Sequence, residues 1–286
     1  MTETAVHRGL ITVAQQEALA AVLDLEDPPR GTLPELWHWT QLLDAAAQRD
    51  LGPDGHPANG IPAPPGPGRR RMFAGGRVRT HRLLRIGEAC ERTTQRLDTV
   101  VKEGRAGALT FVTIRHTYMQ AGDICIVEEN DIVYRDSGSR LDVTPGTLDH
   151  PRPAVEAEPL IRLAVDETFL FRFSALTHNA HRIHYDLAWA DHEGYPGLVI
   201  HGPLQALLMG ELHRRHGGGM VGREFAYRLK APVVGPQWLT AVPGPDGLEN
   251  GSQALDTFGN VTATATLSRI PEPASRIWQS RDQHQC

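Results

Sequence analysis

The segment from Gly202 to Gly219 constrains this chain most. Gly202 can act as an N-cap, Pro203 suits a first helical position, and Gly217-Gly218-Gly219 stops the helix. Leu204, Leu207, Leu208 and Leu212 form an apolar stripe, and the run from Leu204 to Met209 is apolar on more than one side. A helix like that must be buried. Strand-like stretches flank it: Leu160 to Phe173 before it, then Arg223 to Leu229, Gln237 to Val242 and Val261 to Leu267 after it. A curved antiparallel sheet wrapped around one buried helix satisfies that order.

The first half repeats the pattern more weakly. Thr12-Val13-Ala14-Gln15 has the form of a capping box, with helix formers to Leu23. Glu35 to Arg49 reads as a second short helix, carrying Trp37 and Trp39. Leu51 to Arg71 is dominated by Gly and Pro and reads as a surface excursion ending in Arg69-Arg70-Arg71. Strands are expected from Gly76 to Arg135, with a hairpin turn at Ala121-Gly122-Asp123. Residues 1–136 and 160–286 are thus expected to form two α+β domains, with 137–159 as the linker.

The formal net charge of -5 gives no positive field for nucleic acid. No apolar run reaches the ~20 residues of a membrane helix, and the amino terminus lacks a signal-peptide core. Cys90, Cys125 and Cys286 lack metal-ligand spacing. A cytoplasmic protein with reduced thiols is expected, with no cofactor.

The chemistry concentrates in Ser174 to Asp186, which holds His178, Asn179, His181, Arg182, His184 and Asp186. The three histidines are three apart, a spacing that could align metal ligands on a helix, but no Cys or Glu beside them supplies a further ligand. No G-x-S-x-G elbow supports a serine hydrolase. General acid–base chemistry on a histidine is the third option.

This loop, with Gly197-Leu198-Val199-Ile200-His201-Gly202-Pro203 and Ala231-Pro232-Val233-Val234-Gly235, resembles the motif of MaoC-like (R)-specific enoyl-CoA hydratases. Leu36-Trp37-His38-Trp39, Leu51 to Pro57, Arg70 to Gly76 and Asp131 to Arg135 are similar to the branch with mesaconyl-C4-CoA and itaconyl-CoA hydratases and mitochondrial-type 3-hydroxyacyl-thioester dehydratases. The resemblance implies a double hotdog fold, an acyl-CoA thioester as substrate, His184 as the proton-transfer group, and an oxyanion site at the Gly202 N–H. Where the family motif has a catalytic aspartate this chain has Asn179, which carries no proton near neutral pH. Asn179 is therefore expected to orient water or His184.

His201 and Arg182 are expected on the substrate side. Arg182 would meet a substrate carboxylate, or alternatively pair with Asp186. Arg70 and Arg71 would reach CoA phosphates. The first domain, lacking the histidine motif, is expected to bind rather than catalyse. A thioesterase remains a weaker reading, with Glu211 the only acid on the central helix. A non-catalytic acyl-CoA-binding subunit is another, and sheet edges leave a homodimer open.

Overall fold

The computed structural model describes residues 4–61, 69–104, 107–136, 141–153 and 155–270. Ten strands form one antiparallel sheet in the order β1-β3-β4-β5-β2-β7-β10-β9-β8-β6. Residues up to 136 supply β1 (Thr4–Leu10), β2 (Arg69–Thr80), β3 (Ala89–Gly104), β4 (Gly107–Gln120) and β5 (Asp123–Asp136). Residues from 161 supply β6 (Ile161–Val165), β7 (Arg223–Leu229), β8 (Gln237–Pro243), β9 (Gly251–Leu255) and β10 (Val261–Arg269). The halves join where β2 pairs with β7, from Gly75 opposite Arg228 to Thr80 opposite Arg223.

The central helix, α4 (Gly202–His216), is buried from Leu204 to His213. Its N-cap is His201, and Gly202 is the first helical residue, one position on from the expected cap. Its apolar residues meet Phe225, Leu239, Ala254 and Ala263 of the surrounding strands in one core with Leu19, Leu36 and Trp37 of the first half. Each such side chain taken fully out of water is worth about 1.5–3 kcal/mol. Trp37 also donates Nε1–H to Glu211 Oε1 at 2.8 Å. Arg214 and Arg215 hold the same carboxylate, so Glu211 has a structural task.

The helix α1 (Val13–Val22) forms as expected, but the capping box does not: the Thr12 N–H is taken by Gln41 Oε1 at 2.9 Å, and no side chain caps the helix from position 12. Glu35 to Arg49 is not a helix. It contains short 3-10 turns at Trp37–Thr40 and Gln48–Asp50, because its aromatic residues point to separate partners. Trp39 Nε1, for instance, donates to Glu128 Oε1 at 2.7 Å. Leu160 to Phe173 is likewise not one strand. Asp166 accepts the Phe169 N–H at 2.7 Å and starts α2 (Glu167–Leu176).

The hairpin turn stands where the sequence placed it. Gln120 faces Asp123, and Ala121 and Gly122 both take positive φ. The Gly- and Pro-rich excursion stops sooner than expected, since Arg69–Arg71 already belong to β2. Residues 141–153 and 155–160 form no helix or strand, yet the Leu141 and Gly146 N–H groups donate to Gly194 and Val234 in the second half. Cys90 and Cys125 are buried free thiols, and Cys286 lies outside the described residues. No helix among the described residues is long and apolar enough to cross a membrane.

Candidate active site

Three backbone segments lace the site together. The Val199 N–H donates to Ile183 O at 2.9 Å, the Ile200 N–H to Val233 O at 2.8 Å, and the Gly235 N–H to Leu198 O at 2.8 Å. The Pro-Val-Val-Gly stretch thus fixes the entry to α4, and that entry fixes the turn Arg182–His184.

His184 is buried, and its Nδ1 lies 2.7 Å from Val199 O. A carbonyl only accepts, so Nδ1 carries the proton and Nε2 keeps its lone pair. Nε2 has no hydrogen-bond partner among the described residues. Burial, then neighbouring His201, hold the His184 pKa well below the ordinary histidine value. The ring stacks on His201 with centroids 3.7 Å apart.

His201 is fully buried. Its Nε2 meets Ser174 Oγ at 2.8 Å, and burial pushes its pKa down to about 3. It was expected to touch substrate; instead it backs the His184 ring. Behind both lies the first turn of α4. Gly202 N–H, at the first helical position, has no acceptor within the helix. A Cβ on Gly202 would overlap the Leu229 side chain, and its position is 3.7 Å from Phe73 Cδ1.

Asn179 Oδ1 accepts the His181 N–H at 3.1 Å, and Asn179 lines a cleft of about 440 Å³. Ser174, Ala180 and Tyr185 line it from the second half, and Asp44, Leu51 and His56 from the first. His184 sits behind this lining rather than in it.

His56 lies in the Leu51–Pro57 stretch that carries part of the resemblance, but the sequence alone assigns it no role. Its Nδ1 is 3.0 Å from Asp54 Oδ2, and Nε2 has no hydrogen-bond partner among the described residues. Burial pushes the ring's pKa down to about 4, against the pull of Asp54. Burial would raise the Asp54 pKa, but the hydrogen bond and charge of His56 outweigh it and hold the carboxyl at about 2. The His56 ring packs against His181 at 4.3 Å, and His181 meets His184 edge-on at 5.6 Å.

The Gly-Pro-Asp-Gly-His turn is pinned to the second half. Arg182 N–H donates to Asp54 O at 2.9 Å. Gly55 has φ +91°, and a Cβ there would overlap the Ala180 carbonyl. The turn of the first half thus packs directly on the loop that carries Asn179 and His184. The signal in the sequence was an Asp two residues before a His in a glycine turn; only the folded chain shows what that turn faces.

Asp54, His56 and His181 each bring a potential ligand atom within 4.8 Å of the others. His56 Nδ1 is already held by Asp54, and His181 Nε2 lies 3.2 Å from Glu193 Oε1. The triplet His178, His181 and His184 does not converge, since His178 is exposed at the cleft mouth.

The arginines depart from expectation. Arg182 binds Asp186 Oδ2 through Nε at 3.0 Å and Nη2 at 2.6 Å, donates to Pro53 O and lies over the Trp189 ring. Of its two expected partners the structure shows Asp186, which also caps α3 (Leu187–His192). Arg70 and Arg71, adjacent in a strand, take opposite faces. Arg70 reaches the His192 carbonyl at 3.5 Å, and Arg71 lines a separate cavity in the first half. Neither forms the joint phosphate site expected of the run.

A continuous sheet around a buried helix, with two stacked histidines at its amino end, is a double-hotdog fold. The profile of the hydroxyacyl-thioester dehydratase type 2 family matches residues 36–235, and the chain belongs to that family. It is 44% identical over 268 residues to the mesaconyl-C(4)-CoA hydratase of Chloroflexus aurantiacus, covering 90% of this chain and 92% of that one. It is 26% identical to the mitochondrial hydroxyacyl-thioester dehydratase type 2 of Schizosaccharomyces pombe, covering 78% and 80%. Its fold is shared by HtdX of Mycobacterium tuberculosis (TM-score 0.64, 14% identity, 94% and 100% covered). A MaoC-like dehydratase from Phytophthora capsici shares it too (0.64, 13%, 94% and 97%).

Proposed function

We propose that this enzyme adds water across C2=C3 of a short, branched, dicarboxylic enoyl-CoA, with mesaconyl-C4-CoA the first candidate. The observation that carries the reading is His184, with an unshared Nε2, placed against the amino end of α4. The relative at 44% identity supports the choice of acyl group.

An enoyl thioester is electrophilic at C3. As water oxygen bonds to C3, one water proton passes to an imidazole Nε2. The C2=C3 electrons move toward the thioester, whose oxygen becomes an enolate. The Gly202 N–H and the positive end of α4 stabilise that charge, an effect worth ~3 kcal/mol for one donor. The proton then passes from the imidazole to C2, and the ring is neutral again.

Both histidines are kept neutral by burial and can accept that proton near neutral pH. His184 is the group beside the helix start. His56, which lines the cleft from the first half, is assigned a share in the water's proton, and Asp54 supports its imidazolium as Asn179 could not. Asn179 orients the 180s loop through His181.

The same chemistry in reverse, dehydration of a 3-hydroxyacyl thioester, is the second reading, and the Schizosaccharomyces pombe relative favours it. A homodimer formed over the outer strands β1 or β6 is compatible with both. The test is loss of the conjugated enoyl-thioester absorbance with mesaconyl-C4-CoA and crotonyl-CoA, and its gain with the 3-hydroxyacyl partners. No change with any of these thioesters overturns the assignment.

A further inference from the structure

The first half holds a second cavity, of about 220 Å³, lined by His38, Trp39, Arg71, Phe73, Arg92 and Asn130 among others. Its cationic groups are nearly all committed. Arg92 Nη2 binds Asp44 Oδ1 at 2.6 Å, His38 meets Glu128 at 3.2 Å, and His116 meets Thr94 Oγ1 at 2.9 Å. Arg71 is the exception: it forms no hydrogen bond or ion pair with any described residue. The acid whose charge it feels is Asp54, which is already bound to His56.

The cavity adjoins the reacting end of the site. Phe73 forms part of its wall and stands 3.7 Å from where a Cβ on Gly202 would be, at the first turn of α4. Arg71 lies two residues before Phe73 on β2, so both side chains take the same face, about 7 Å apart along the strand. A guanidinium arm and a four-carbon acyl chain together span that distance. Arg182, the other candidate for a substrate carboxylate, is tied to Asp186, Pro53 and Trp189.

We infer that the acyl group lies in the first-half cavity and that Arg71 receives its free carboxylate, which makes Arg71 the residue that selects dicarboxylic acyl-CoAs. The inference rests on the enoyl-thioester reading above. A planar guanidinium left without an anion in a partly closed cavity matches a carboxylate in shape and charge. A site built to bind a polar group rejects the analogue that lacks it.

The test compares wild type with Arg71→Met and Arg71→Lys. Steady-state hydration is measured on mesaconyl-C4-CoA and crotonyl-CoA, and calorimetry compares unreactive succinyl-CoA with butyryl-CoA. The expected result for Arg71→Met is a rise of ~100-fold in KM for mesaconyl-C4-CoA, with kcat/KM on crotonyl-CoA changed less than ~3-fold. The succinyl-over-butyryl preference should vanish in Arg71→Met and return in part in Arg71→Lys.

Equal losses on both enoyl-CoAs, or an undiminished succinyl preference, would overturn the role of Arg71 while leaving the hydratase reading intact. A wild type that hydrates neither compound removes the hydratase reading, and the inference with it. Should Arg71→Met fail to fold, Arg71→Lys decides: wild-type KM on mesaconyl-C4-CoA in that variant counts against a bidentate clamp.

Discussion

The imidazoles of His184 and His201 lie 3.7 Å apart and 17° from parallel, the first held through Nδ1 by the Val199 carbonyl and the second forming the N-cap of the central helix. In the proposed mechanism this registers the proton-transfer ring to the helix end assigned to the enolate. His184→Ala should lower kcat by ~100-fold or more, within the span of general acid–base catalysis. The readout is the enoyl-thioester absorbance. Retention of the wild-type rate would remove His184 from the mechanism.

Asp54 and His56 extend the site across the two halves of the chain. His56→Gln should reduce kcat by ~10-fold or more with a smaller change in KM. Asp54→Asn should give a lesser loss, because the ring stays but its imidazolium loses a counter-charge. A kcat of wild-type size in His56→Gln, checked by single-turnover measurements, would confine the dyad to loop anchoring.

Gly202 is crowded from outside. In Gly202→Ala the new methyl would strike Leu229 Cδ1, so that side chain must turn aside into a packed core or the α4 terminus must give. Overpacking of this kind costs about 1–3 kcal/mol. Thermal unfolding should show that loss, together with a fall in kcat if the Gly202 N–H is the proposed oxyanion donor and is displaced.

Arg182→Ala should act through structure. It breaks an ion pair, a bond to Pro53 and the stack on Trp189, yet the side chain is 37% exposed. The expected cost is about 1 kcal/mol. The relative loss should be the same on crotonyl-CoA and mesaconyl-C4-CoA, and a selective loss on the diacid would return the carboxylate role to this residue.

His201 makes folding sensitive to acid. Its native pKa is about 3 and its unfolded value near 6.5, so below pH 6.5 the unfolded chain binds a proton the native ring refuses. Stability from this ring is whole above pH 6.5 and drains as pH falls toward 3, by about 2 kcal/mol at pH 5. Tm measured from pH 7.5 to 5 should fall less steeply in His201→Asn than in wild type.

Much of this was legible in the chain itself. Pro203 and the glycine run at 217–219 marked the central helix, and Arg223–Leu229 was read to the residue, because both patterns are local. Glu35 to Arg49 is not the expected helix because its polar and aromatic groups answer to Glu128 and Glu211, far away in sequence. His56 was passed over for the same reason: a glycine turn shows its own geometry but not the wall it will face. The arginine run failed differently, since a strand's alternation sends Arg70 and Arg71 to opposite sides.

The pairing of β2 with β7 has one more consequence. Were the chain severed between residues 141 and 160, each fragment would carry a bare strand rim, with six residue pairs of that seam left open to solvent. Co-expressed pieces should therefore reassemble along it, whereas a lone piece is expected to clump. A gene encoding only the second piece would lack the Asp54–His56 wall, and one encoding only the first would lack His184.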